Sequence, residues 1–294
     1  MRILKRSVLK NYTEKTSTQS GSVPAWASRV ITITSGKGGV GKTNLAVNLA
    51  IALAQQSQRV IIFDADLGLA NVDVLLGVAP PLTLYDHLFS DVPIEQILFP
   101  GPAGINIISG GSGFLELANL NNSQRSRLLK NIEKLDRLAD FIFIDTSAGI
   151  SKNVLAFCAA ADEVFLVVTP EPTSLTDAYG LIKVMDRFKL HREVFFIVNQ
   201  SRSSSESIDT VYRLKTLVDK YLSIHLNYLG DISFDQTIVR AVKNQKPFLL
   251  AHPDAAASGA VKKIAFSLLH REWKAEEEER GLKGFISKLS RLLR

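Results

Sequence analysis

The sequence predicts an α/β fold, a doubly wound and mostly parallel sheet. Three observations carry that expectation. Short β-rich runs recur along the chain, with helical stretches between most of them. The runs are apolar, as strands covered on both faces of a parallel sheet are. The residues with chemistry fall just after strand ends, where right-handed crossovers open the ligand crevice of such a sheet. With 294 residues, 46% of them hydrophobic, the chain can bury a sizeable core.

Residues 11–27 are rich in Ser, Thr and Gly, and 1–28 read as a basic, flexible extension. Strand-like runs follow at Arg29–Thr34, Arg59–Phe63, Ile105–Ile108, Phe141–Ile144, Glu163–Val168, Glu193–Val198 and Asn227–Gly230. Helical stretches lie at 43–56, 123–138, 151–160, 173–189 and 205–222, and residues 254–272 read as a last core helix. These elements make one expected domain, 29–272. Residues 273–280, with four consecutive acids at Glu276–Glu279, form an acidic spacer before a terminal segment, 281–294.

Composition narrows the class. A single cysteine, Cys158, set in the apolar run Ala156–Ala160, supports neither an internal disulfide nor a cysteine-rich metal cluster, and reads as a core residue in a reducing cytosol. No apolar stretch approaches the roughly 18–20 residues that span a bilayer. Charges scattered through Met1–Lys10 predict no secretory signal. Net charge is +6 and uneven: residues 1–28 hold five Lys/Arg against Glu14, and 281–294 hold Lys283, Lys288, Arg291 and Arg294 with no acid. Basic excess at both ends points to an anionic surface, membrane or nucleic acid, or serves solubility alone.

The strongest motif is Gly36-Lys37-Gly38-Gly39-Val40-Gly41-Lys42-Thr43, with Asn44 following. Glycine, four residues, glycine, lysine and threonine between a strand and a helix is a phosphate loop. Its glycines let backbone N–H groups curl around phosphate oxygens, and the helix N-terminus adds positive charge. Lys42 reaches the β- and γ-phosphates, and the Thr43 hydroxyl ligates Mg²⁺. After the next strand stand Asp64 and Asp66, carboxylates at i and i+2 that can both face the phosphate edge. Phe141–Ile144 is a buried strand delivering Asp145 to the same edge as a Mg²⁺ ligand, direct or through water. Asn199, after the strand at 193–198, carries an amide matching the adenine edge, or forms the strand-end turn.

With its extra lysine, the loop resembles the deviant Walker A of the MinD/ParA (SIMIBI) class of P-loop ATPases, across about 29–294. The resemblance implies ATP and Mg²⁺ as cofactors, and catalytic roles for Lys37, Lys42 and Asp66. Lys37 would reach the partner's phosphates across an ATP-sandwich homodimer, Asp66 would position the attacking water, and Asp64 would support the Mg²⁺ shell. Thr146–Ile150 is similar to the family's second switch loop. Asp64–Asp73 (DADLGLANVD), Ile144–Leu155 and Thr169–Tyr179 narrow the likeness to the FlhG group (also FleN, YlxH), which acts on flagellar number and placement. That implies an FlhF-like flagellar GTPase, a switch-complex protein or a transcription regulator as partner. The N-terminus, MRILKRSVLKNYTEK, lacks the Asp-Gln-Ala motif with which such proteins stimulate that GTPase.

The terminal segment reads as an amphipathic helix. Leu282, Phe285, Ile286, Leu289, Leu292 and Leu293 share one face, with the basic residues elsewhere. It predicts reversible attachment to an anionic membrane, hence a cytoplasmic protein peripheral to the inner face of the cell membrane. The alternative is a last helix packed on the core. Other readings are a MinD-like division-site ATPase, a ParA-like ATPase that binds DNA through its basic ends, and a scaffold that uses nucleotide only for shape.

Overall fold

The computed structural model describes residues 28–66, 71–90, 92–110, 116–117, 120–271 and 281–293. The expected extension over 1–28, apart from Ser28, and the spacer at 273–280 and Arg294 lie outside them.

Among the described residues, eight strands form one sheet in the order β3-β4-β2-β5-β1-β6-β7-β8. They are β1 (Arg29–Thr34), β2 (Val60–Ala65), β3 (Phe99–Pro100), β4 (Asn106–Ser109), β5 (Phe141–Thr146), β6 (Glu163–Val168), β7 (Glu193–Ser201) and β8 (His225–Ser233). Every pairing is parallel except β3 with β4. All residues of β1, β2, β5 and β6 are buried, which is why these segments read as continuous apolar runs. β1 lies between β5 and β6, so the chain winds outward from it both ways and a crevice opens above its C-terminal end.

The helices are α1 (Lys42–Ala54), α2 (Asn71–Leu76), α3 (Leu84–Phe89), α4 (Asn122–Asp136), α5 (Lys152–Ala160), α6 (Pro172–Arg187), α7 (Ser204–Tyr221), α8 (Gln236–Lys243), α9 (Phe248–Ala251), α10 (Ala256–His270) and α11 (Gly281–Leu292). Local chemistry starts several of them. Asn121 and Gln124 form a capping box on α4, and Ser151, Ser203 and Asp235 cap α5, α7 and α8. Pro172 takes the first turn of α6. The core divides over the sheet. One cluster joins α1 and α10, a second joins α4, α5 and α11, and a third joins α6 and α7.

The terminal helix packs on the core, the second of the two placements expected for it. Leu282, Phe285, Ile286 and Leu289 are at most 1% exposed and belong to the second core cluster, against α4 and α5. Phe285 stacks on Phe157, ring centroids 6.3 Å apart. Leu293 is partly buried against the same cluster, and Leu292 is the one of the six that is open, at 41%. The helix is thus docked as part of the core here. The physical reason is proximity: each fully buried apolar side chain gains about 1.5–3 kcal/mol, and α4 and α5 offer a groove on the same chain. Charge completes the fit. Buried Asp136 accepts from Leu282 N at 3.1 Å, and Lys152 Nζ donates to Leu293 O at 3.2 Å, an acid and a base at the two ends of the helix that favour them.

Candidate functional site

The phosphate loop leaves β1 and enters α1 above the middle of the sheet. Gly41, at φ 90°, turns the chain into α1 in a conformation that a side chain disfavours. Gly36 has no room for a Cβ, because the backbone of Asp177 on α6 lies against it. The Thr146–Ile150 loop is fixed as well: Gly149 N donates to Ser35 O at 2.9 Å, and the Thr146 hydroxyl donates to Ile33 O at 3.1 Å.

At the start of α1, Thr43 Oγ1 donates to Asp145 Oδ2 at 2.6 Å. Asp145 is fully buried at the end of β5, and its Oδ1 has no protein partner. Burial pushes its carboxyl up to about 7. Beside it Lys42 is 9% exposed; burial lowers its pKa, while Asp145 and Asp66 act the other way. The hydroxyl and the carboxylate with its orphaned oxygen would suit a hard divalent cation, and the lysine would suit phosphate oxygens beside it. Two buried carboxylates also set a pH dependence. Asp145, and Asp64 at about 6, bind protons in the folded state that the unfolded chain releases near 3.8. Their contribution to stability therefore falls as pH rises from about 4 to about 7. Thermal unfolding across that range should show the decline in nucleotide-free protein.

The other predicted residues lie around this set, each with partners on the chain itself. Asp66 is felt electrostatically at Lys42, Asp145 and Asp64. Asp64 spends its oxygens on backbone: Oδ1 accepts from Asp66 N at 3.1 Å and Oδ2 from Val72 N at 3.0 Å, so it closes the loop between β2 and α2. Asn199 likewise works on the chain. Its Nδ2 donates to Val40 O at 2.8 Å and its Oδ1 accepts from Gln200 N at 3.0 Å, so the amide expected at the adenine edge braces the phosphate loop. Next to it opens a slot lined by Leu45, Ile232, Phe234, Ile238, Val239 and Phe248, with Asn44 and Asn199 at its polar side. Its apolar walls suit a flat base.

Lys37 is held by its own chain. Its ammonium pairs with Glu171 Oε2 at 2.6 Å and donates to Thr173 Oγ1 at 2.9 Å, at the start of α6. Both partners lie in Thr169–Tyr179, where no motif marks either of them. The pair is half-open to solvent, at 38% and 61%, so it contributes only about 0.2–1 kcal/mol. Glu171→Gln is expected to release Lys37 and raise the ATP-dependent dimer fraction by at most about fivefold, as that energy allows. Sedimentation velocity across an ATP titration measures it.

The comparisons agree with this geometry. The ParA family profile, described as NUBPL iron-transfer P-loop NTPase, matches residues 27–269. Cluster carriage needs paired cysteines, and Cys158 is a single buried thiol pushed up to about 12 by burial. The antiactivator FleN of Pseudomonas aeruginosa is 39% identical over 89% of this chain and 93% of its own. The flagellum site-determining protein YlxH of Helicobacter pylori is 34% identical over 90% of each. Among solved structures, the MinC:MinD cell division complex of Aquifex aeolicus superposes with TM-score 0.65 at 27% identity, covering 85% of this chain and 99% of that one. MinD of Pyrococcus horikoshii, complexed with Mg-ADP, gives 0.63 at 25%, covering 82% and 96%.

Proposed function

The chain belongs to the ParA/MinD family of P-loop NTPases, and from that premise we propose that it is an ATP-hydrolysing switch that dimerises around ATP, binds membrane in that state and regulates flagellar number or placement. The observation that carries the enzymatic part is the convergence of Lys42, Thr43 and Asp145, with its orphaned Oδ1, beneath the phosphate loop. Thr43 and Asp145 would hold Mg²⁺, which supplies charge neutralisation at the phosphates. Lys42 and the loop amides would bind the phosphates, Asp66 would place the water, and the apolar slot would take the base. Lys37 would leave Glu171 to act on the nucleotide of a second copy.

The flagellar part rests on the FleN and YlxH relatives. The membrane part rests on the stripe of α11, and the docked helix adds a condition: the stripe must leave α4 and α5 before it meets lipid. Among the described residues no helix is long and apolar enough to cross a membrane, so attachment would be peripheral. The test is ATP turnover together with pelleting on vesicles of anionic phospholipid, with ATP and with ADP. Turnover with ATP-dependent pelleting supports the reading. Absence of turnover ends the enzymatic claim. Salt-sensitive, ATP-dependent DNA binding without pelleting moves the switch from membrane to DNA.

A further inference from the structure

Beyond Lys42, every buried residue of α1 is apolar except Asn48. Asn48 is 0% exposed, and both ends of its amide are used on the chain. Nδ2 donates to Asn44 O at 2.7 Å, one turn back, and Oδ1 accepts from Leu249 N at 2.9 Å, 201 residues away. Leu249 is the second residue of α9 and is buried. N–H groups in the first turn of a helix have no partner within it, and Pro247, which precedes α9, gives no side-chain cap. Asn48 supplies the acceptor from another helix. Next to Leu249, Phe248 is 2% exposed and lines the apolar slot together with Leu45 and Asn44 of α1. One buried amide thus ties the helix that the phosphate loop enters to a wall of the slot beside it.

We propose that Asn48 is a positioning residue for the nucleotide base: by holding Leu249 N it sets the place of Phe248 relative to the phosphate loop, and so the width of the slot. The inference rests on the reading of the slot as the base site. A flat base gains from an apolar wall only in close contact, and a gap of about 0.5–1 Å forfeits a quarter to a half of that attraction. A buried N–H has to be matched, so without the Asn48 oxygen α9 shifts to find Leu249 another partner. A leucine at 48 would fill the same core volume, which leaves the placing of α9 as the distinct contribution of the amide. Neither bond of Asn48 involves Lys42, Thr43 or Asp145, so the groups that would meet phosphate and metal are spared by its loss.

The experiment uses the full chain with Mg²⁺ and compares wild type, Asn48→Leu, Asn48→Ala, Asn48→Asp, Phe248→Ala and the double variant Asn48→Leu/Phe248→Ala. It reads affinity for ADP and, by competition, for inorganic tripolyphosphate, which has no base. It also reads kcat, KM for ATP and thermal unfolding without nucleotide. Asn48→Leu is expected to weaken ADP binding and raise KM about 5- to 30-fold, as one unmatched buried N–H allows. Tripolyphosphate affinity and kcat at saturating ATP stay within about twofold of wild type. Asn48→Ala shows the same split at a lower unfolding temperature, because it adds a cavity. Asn48→Asp keeps an acceptor for Leu249 N and recovers part of the affinity. The double variant binds ADP no more weakly than Phe248→Ala, because Asn48 acts through Phe248. A purely structural Asn48 would change the unfolding temperature and leave the preference of the folded protein for ADP over tripolyphosphate unaltered. Wild-type ADP affinity in folded Asn48→Leu or Asn48→Ala, an equal loss for ADP and tripolyphosphate, or an additive loss in the double variant overturns the proposal while leaving the slot as the base site. Unchanged ADP affinity in Phe248→Ala overturns it together with the reading of the slot, and absence of ADP binding by the wild type overturns the nucleotide reading itself.

Discussion

Asp66→Ala is expected to lower ATP turnover by about 10²- to 10⁴-fold, the range for losing a group that manages the proton or water in the transition state. It should leave ATP binding close to wild type. The separation follows from the geometry. Phosphate binding would draw on Lys42, the loop amides and the Thr43–Asp145 pair, and Asp66 belongs to a different element, the loop between β2 and α2. Asp64 closes that loop through backbone bonds, so truncating the side chain at 66 leaves the Asp66 N–H bond to Asp64 in place. Lys42→Ala gives the contrasting pattern, losing nucleotide affinity along with turnover. Phosphate release in a single turnover, paired with an equilibrium binding isotherm, separates the two. Equal losses of binding and turnover in Asp66→Ala would place Asp66 among the phosphate-binding groups.

The parts of this site that the sequence made legible are those set by local rules. A buried parallel strand is apolar throughout, and its last residue faces the crevice, so Asp64, Asp66 and Asp145 could be placed from the runs before them. The phosphate loop is a contiguous motif with one physical purpose. The illegible parts depend on distant neighbours. Lys37 meets Glu171 across 134 residues, and nothing in either segment names the other. An amide at 199 suits an adenine edge and a loop carbonyl equally well, and only the fold shows Val40 O within reach. Two-residue β3 and the short helices α2, α3 and α9 are too brief to show a period. The stripe on α11 is the sharpest case. Periodicity announces that a helix has an apolar partner, and lipid and the α4–α5 groove satisfy the same pattern.

That ambiguity suggests a variant that touches the docking and spares the stripe. Asp136, 5% exposed at the end of α4, accepts from Leu282 N and from the backbone and hydroxyl of Ser28. Gly281, at φ 67°, packs so closely on this carboxylate that a Cβ there would meet both oxygens. Asp136→Ala removes the acceptor from beneath the helix start and leaves buried donors unmatched, at about 1–3 kcal/mol each. It also removes a favourable charge from the helix N-terminus. Leu282, Phe285, Ile286 and Leu289 are unchanged, so the capacity of the helix for lipid is retained. If docking holds the protein off the membrane, the variant should pellet with anionic vesicles in ADP as the wild type does in ATP. The gain corresponds to about a 5- to 150-fold shift toward the undocked helix for that energy. Faster amide exchange across 281–293, measured without lipid, should accompany it. Faster exchange without any gain in pelleting would show that α11 undocks and still has no affinity for lipid, making it a structural helix of the core. Unchanged exchange would show that the apolar contacts with α4 and α5 hold the helix without the charge beneath it.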